Sequence, residues 1–199
     1  MQTAESIAPR DTITAHLNYI IDNGRPPIHI VDWPGMEHTA VPAEYQDHEV
    51  TIANGRPVKD TFELDTHGFV FVDHATAVKD FTDEAERANV YDAEAAALIK
   101  KHSGASDVLV FDHTIRVGDA DTREELGARA PVRGVHNDYT ENSAPRRLRD
   151  ILGDEEAERR MKKRWAIIQV WRPIRRPVVA DPMAICDARS IPQEGFILL

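Results

Sequence analysis

Residues 134–143 read GVHNDYTENS, with His136 and Asp138 two positions apart. On a β-strand, residues i and i+2 point to the same side, so these two side chains converge while Asn137 points away. An imidazole and a carboxylate on one face hold two positions on a divalent metal. Two imidazoles and a carboxylate suit Fe(II), with positions left open for a co-substrate and dioxygen. Taken alone, such a pair is more often a surface hydrogen bond than a ligand set. His136 is the last of the nine histidines, so no later residue of this sequence supplies a second imidazole.

Outward from this stretch, the pattern is one of short strands. TITAHLNY (12–19) alternates and is rich in β-formers, which predicts a strand. Asn23-Gly24 and Pro26-Pro27 break the chain, and Ile28 to Val31 resumes an extended run. Residues 32–48 read as loop, with Pro34, Gly35 and Pro42. In EVTIANGRPV, Asn54-Gly55 suits a tight hairpin turn, because both central residues of such a turn need positive φ. Thr61 to Leu64 and GFVFV (68–72) read as two further strands.

DEAERANVYDAEAAALIKKH (83–102) is the clearest helix, with acids at its start, lysines at its end and Gly104 to stop it. DVLVFDHTIRV (107–117), RWAIIQVWRPI (164–174) and MAICDARSI (183–191) read as strands. Residues 143–164 are helix-prone, interrupted at Gly153. Strands that do not alternate regularly with helices predict a mainly β fold with peripheral helices rather than a doubly wound sheet.

The bulk composition narrows the function. A length of 199 residues gives one domain with room for a core. A net charge of -10 argues against a nucleic-acid or anionic-membrane surface. No apolar run approaches a membrane span and no signal-like segment opens the chain, so a cytoplasmic location is expected. The single cysteine, Cys186, excludes an intrachain disulfide and a cysteine zinc cage, and reads as a small core residue. No nucleophile elbow, phosphate loop or dinucleotide glycine motif is present.

The spans TFELDTHGFVFVDH, DFTDEAERANVYDAEAAALIKKHSGASDVLVFDHTIR, VHNDYT, IIQVWRP and DPMAICDARS occur in this order. Together they resemble the hydroxylase/desaturase family that includes fungal gibberellin desaturase and the oxidase component of cephamycin methoxylation. The resemblance covers about residues 12–190. It implies a non-haem Fe(II), 2-oxoglutarate-dependent oxygenase of secondary metabolism, with a small-molecule substrate and dioxygen, on a double-stranded β-helix (jelly-roll) core. The implied layout is a single oxygenase-like domain over 1–199. It has an N-terminal β region at 12–74, a helix at 83–102 and a partial jelly-roll core at 107–190.

The family's two early iron ligands fall on His136 and Asp138. Its third, a histidine in a block resembling His-Arg-Trp, has no counterpart here, and the resemblance ends after DARS. The expectation is therefore an incomplete jelly roll, with FILL (196–199) not a strand of the family fold and Fe(II) bound weakly. The alternative is a catalytically inactive relative that binds a small molecule or a protein. Arg172 and Arg189 are candidate partners for the distal carboxylate of 2-oxoglutarate, which suits a bidentate guanidinium. His113 is a substitute third ligand on paper, but it shares a face with Phe111 and Ile115 and reads as a hydrogen-bonded core histidine. His67 and His74 read as structural or surface residues, and Arg146 and Arg147 as a solvated helix face. Tyr139 and Thr140 either hydrogen-bond near the metal or finish the strand. His136 and Asp138 are expected side by side, facing an internal pocket.

Overall fold

The computed structural model describes residues 11–25, 27–28, 41–192 and 195. The chain divides into two compact units. One comprises Met1–Phe71, Val132–Asp138 and Ala184–Leu199, and the other Val72–Pro131 and Tyr139–Met183.

The first unit is built on an antiparallel pair, β1 (Thr12–Ile20) and β2 (Tyr45–Ala53). The register runs from Thr12 opposite Ala53 to Ile20 opposite Tyr45. The alternation in TITAHLNY thus forms the strand it predicts. The connection between the strands is pinned by the Ile28 and Val41 backbones, which exchange hydrogen bonds of 2.9 and 3.0 Å. β2 gives way to a 3-10 turn, Arg56–Thr61, and then to the short helix α1 (Leu64–His67). Phe62, Phe69 and Phe71 gather here with ring centroids 4.6 to 5.9 Å apart. Beside them His67 is buried and accepts the Glu63 N–H at 3.0 Å, a structural role.

Asn54-Gly55 does not make a hairpin. Gly55 has an ordinary φ of -76° and caps the 3-10 turn. A Cβ there would lie 3.1 Å from the Phe71 ring and 3.2 Å from the Phe62 ring, so this glycine serves close aromatic packing rather than positive φ.

The second unit is organised by a long interrupted helix. α2 (Glu84–Glu86) opens with Asp83 accepting the Ala85 and Glu86 N–H groups. It passes through a π-helical turn at Arg87–Tyr91 into α3 (Asp92–Ser103). Lys100, Lys101 and His102 sit in the last turn, where the helix dipole favours cations, and Gly104 stops the helix at φ 70°. Val78, Phe81, Tyr91 and Ala95 form the core, with Val90, Val110 and Ile174 packed against it. The loop before α2 is drawn onto the helix by two glutamates. Glu86 accepts from the Lys79 and Asp80 N–H groups, and Glu94 from the Ala77 N–H and the Thr76 hydroxyl. These bonds hold the Glu94 carboxyl below its usual range, Ala77 contributing most.

Helices α4 (Ala120–Glu125), α5 (Ser143–Leu152) and α6 (Asp154–Met161) follow. Gly153, at φ 77° and ψ 160°, separates α5 from α6 where the sequence places the interruption. No helix among the described residues is long and apolar enough to cross a membrane.

Several expected strands are not strands. Residues 45–48, read as loop, begin β2. Thr61 ends the 3-10 turn and Leu64 begins α1, and Phe69 and Phe71 of 68–72 pack in the aromatic cluster. The runs 107–117 and 164–174 have apolar β-formers but find no continuous partner among the described residues. Only an isolated Arg116–Arg129 bridge is formed in the first. A strand needs a neighbour for its backbone groups, and an apolar run by itself does not supply one. In 183–191 the chain folds instead into a 3-10 turn at Ala188–Ser190, capped by Asp187. Residues 29–40, including the rest of the run from Ile28 to Val31, and FILL (196–199) lie outside the described residues.

Candidate metal centre

The segment Gly134–Asp138 is fastened to the edge of β1 opposite β2. Asn18 and Gly134 form a parallel bridge, and the Val135 N–H donates to the Asn18 carbonyl at 2.8 Å. Gly134 lies against the Tyr45 ring. A Cβ at this position would come within 2.7 Å of Tyr45 Cε1, so only glycine lets the segment sit here without moving the ring.

His136 Nδ1 lies 2.8 Å from the Gly134 carbonyl. A carbonyl only accepts, so Nδ1 carries the proton and Nε2 of the neutral ring keeps its lone pair. Nε2 stands 3.0 Å from Asp138 Oδ1. Two acceptors facing across such a gap need a cation, either a proton on Nε2 or a metal ion. An ion about 2.1 Å from both donors, with a right angle between them, gives a donor–donor edge of about 3.0 Å. The pair thus fits two adjacent positions on one ion. The bond from Nδ1–H to a backbone carbonyl is also the support that ligating histidines commonly have.

The setting differs from the expected internal pocket. The His136 side chain is 35% exposed and that of Asp138 42%. The reason is local: the segment touches β1 through a single bridge, and its apolar neighbours Val132 and Val135 are themselves exposed. Among the described residues, no group of three His, Cys, Asp or Glu side chains is placed to hold a metal. His113 is part of the second unit, 25% exposed, and its Nε2 lies 2.6 Å from Asp92 Oδ1. The hydrogen bond agrees with the reading from the sequence, but His113 is partly exposed rather than a core residue.

The two arginines have other partners. Arg189, in the same unit as His136, grips Asp187 with Nε at 3.0 Å and Nη2 at 2.6 Å. This fork holds the Asp187 carboxyl below its usual range. Arg172, in the second unit, lies over Phe81 and Tyr91, 5.3 and 5.9 Å from the ring centroids. Arg147 stacks on Phe111 at 5.3 Å instead of facing solvent. Cys186 is exposed, not a core residue, with Sγ 3.4 Å from the Ser190 hydroxyl. Thr140 holds the start of α5, its hydroxyl accepting the Ser143 N–H and its carbonyl the Ala144 N–H, both at 3.0 Å. The Asp92–His113 contact was not legible in the sequence, where no pattern joins the two positions.

Residues 17–199 match the family described as YDMC: Oxidoreductase/YMDC permease-like domain. The chain belongs to this family. Among the relatives of this oxidoreductase/YMDC permease-like chain is hydroxylase/desaturase CTB9 of Cercospora beticola. It is 41% identical over 162 residues, which is 76% of this chain and 50% of the relative. The Fe(II)/2-oxoglutarate-dependent dioxygenase nvfI of Aspergillus novofumigatus is 32% identical, over 79% of this chain and 57% of the relative. Among solved structures, the iron and alpha-ketoglutarate-dependent endoperoxidase NvfI superposes with a TM-score of 0.62 at 26% identity, covering 76% of this chain and 55% of that one. The chain spans about half the length of the curated relatives it matches. The resemblance to the hydroxylase/desaturases is borne out, and the fold is akin to that of NvfI over three quarters of the chain.

Proposed function

We propose that this chain carries the early-ligand half of a non-haem Fe(II)/2-oxoglutarate-dependent oxidoreductase of the hydroxylase/desaturase type. It would act on a small molecule with dioxygen, in a single oxygenase-like domain on a jelly-roll core that these 199 residues form in part. The observation that carries the reading is the 3.0 Å approach of His136 Nε2 and Asp138 Oδ1, with Nδ1 tied to the Gly134 carbonyl. The relatives' names support it, being hydroxylase/desaturases and 2-oxoglutarate-dependent dioxygenases. His136 and Asp138 would hold the iron. When bound, the iron with 2-oxoglutarate and dioxygen supplies the oxidising chemistry, and the protein supplies coordination geometry. A role for Arg189 toward 2-oxoglutarate requires the ligand's carboxylate to displace Asp187. Arg172 would have to leave its two aromatic faces.

The test is an anaerobic titration with Co(II) as a spectroscopic stand-in for Fe(II). Weak binding is expected, lost in His136→Ala and Asp138→Ala and kept in Arg189→Gln. Succinate production by the 199-residue chain should stay at background. Binding that survives both ligand substitutions would overturn the assignment.

A further inference from the structure

The tetrapeptide Asn-Gly-Arg-Pro occurs twice in the chain, at 23–26 and at 54–57. Neither copy has a part in the metal reading. Asn-Gly carries a chemistry of its own, because a glycine has no side chain to shield its backbone nitrogen from the preceding amide. The glycine nitrogen, losing its proton, attacks the asparagine Cγ. The N–Cγ bond forms, the Cγ–Nδ2 bond breaks, and the amide nitrogen leaves with a proton as ammonia. Water then opens the succinimide at either carbonyl, giving aspartate or isoaspartate.

At the attacked carbonyl the two copies are alike. Arg25 N–H donates to Asn23 Oδ1 at 3.0 Å, and Arg56 N–H donates to Asn54 Oδ1 at 3.1 Å. Each bond polarises the side-chain carbonyl and stabilises the charge that develops on its oxygen.

They differ in freedom. Ring closure needs rotation about the asparagine Cα–C bond, which swings the glycine onto Cγ. At Asn54-Gly55 the surroundings resist that movement. Asn54 N–H is tied to the Asp11 carbonyl at 2.9 Å, and the Gly55 carbonyl accepts Val58 N–H at 3.2 Å. A Cβ on Gly55 would lie within 3.2 Å of the Phe71 and Phe62 rings, and both residues of the pair are half-buried. Asn23 and Gly24 are exposed, beyond the bond from Ile21 N–H to the Glu44 carbonyl. Gly24 has a φ of 72° and nothing within 4 Å of where a Cβ would stand. Its N–H donates to Asp22 Oδ1 at 3.0 Å, so the proton that must leave already faces a carboxylate.

We propose that Asn23 is a site of spontaneous deamidation in the folded protein, and that Asn54, in the same tetrapeptide, is protected by its packing. The product keeps the fold, because the paired residues Thr12–Ile20 and Tyr45–Ala53 lie on either side of the altered bond. Conversion adds a negative charge beside Asp22, and the isoaspartyl form lengthens this connection by a backbone carbon.

The experiment is a prolonged incubation of the folded chain at mildly alkaline pH, followed by peptide mapping with mass spectrometry. The amide-to-acid mass change and the separately eluting isoaspartyl peptide report each site by itself. Asn23 should convert at least about tenfold faster than Asn54, the gap being set by the local opening that Asn54 requires. In urea that unfolds the chain the two rates should converge, since the shared tetrapeptide then decides them. Phe71→Ala removes one of the rings against Gly55 and should speed Asn54 while leaving Asn23 as it was. If that variant does not fold, the comparison of the parent with and without urea decides the matter. The acidic product, isolated by anion exchange, should melt with the parent. Equal rates in the folded chain, a faster Asn54, a gap that persists in urea, or an unfolded product would each overturn the proposal.

Discussion

His136 owes its free nitrogen to one bond. With Nδ1–H committed to the Gly134 carbonyl, only Nε2 is available to Asp138 or to an ion. Asp138→Asn tests that geometry without removing volume. The new amide donates a hydrogen to the Nε2 lone pair, so thermal stability should stay within about 0.5 kcal/mol, as for other partly exposed positions. Co(II) affinity should nevertheless fall at least about tenfold, because the anionic donor is gone. A variant that binds Co(II) as the parent does would show that Asp138 is not a ligand. Gly134 offers a second test. Gly134→Ala places a methyl against the Tyr45 ring and should cost about 1 kcal/mol in urea unfolding. Tyr45→Ala in the same chain should relieve most of that cost, a coupling read from the double-mutant cycle.

Among the elements, α6 is bound by charge more than by apolar burial. Glu156 accepts from Arg159 and Arg160, one and the next position around the helix face, and Arg160 also reaches Asp107. These bonds push the Glu156 carboxyl down to about 2, Arg159 contributing most. A folded pKa below the unfolded one means that the contribution is present above the unfolded value near 4.5. It is lost as pH falls toward 2. The slope of melting temperature against pH between these limits should therefore be shallower in Glu156→Gln. Glu156 is about one third exposed, so 0.5 M salt should reduce the difference between the two chains. An identical slope would mean that the ion pairs do not hold in solution.

Elements with a local cause were legible in the sequence. β1 follows from alternation, the 84–103 helix from its charged ends and Gly104, and the α5–α6 break from Gly153. Elements that depend on a distant partner were not. The runs at 107–117 and 164–174 have strand composition without a ladder, and Asn54-Gly55 has hairpin composition but meets two phenylalanine rings. The site divides the same way. The i, i+2 spacing of His136 and Asp138 was readable, whereas the partners of Arg172 and Arg189 and the π turn came from packing and local hydrogen bonding.

At the scale of the molecule, the balance of buried and exposed apolar residues governs behaviour in solution. Among the described residues, the buried apolar side chains are Val78, Phe81, Tyr91, Ala95 and Ala157, and no large side chain is fully buried. Val179 is 92% exposed, and Ile13, Leu109, Val132 and Ile185 are more than half exposed. Each such side chain forgoes about 1.5–3 kcal/mol of burial, while fixing each backbone residue costs about 1–2 kcal/mol. The chain alone should therefore unfold over a broad range, with a urea slope lower than its length implies, and should bind the dye ANS while folded. The apolar residues on unladdered runs are also an aggregation hazard. Leu109→Lys with Ile185→Lys should raise the soluble fraction and lower ANS fluorescence while leaving the thermal midpoint nearly unchanged. If those residues instead contribute to stability, the double substitution will lower the midpoint by several degrees. A sharp, reversible transition in a monomer that ignores ANS would show that these side chains find cover within the chain itself.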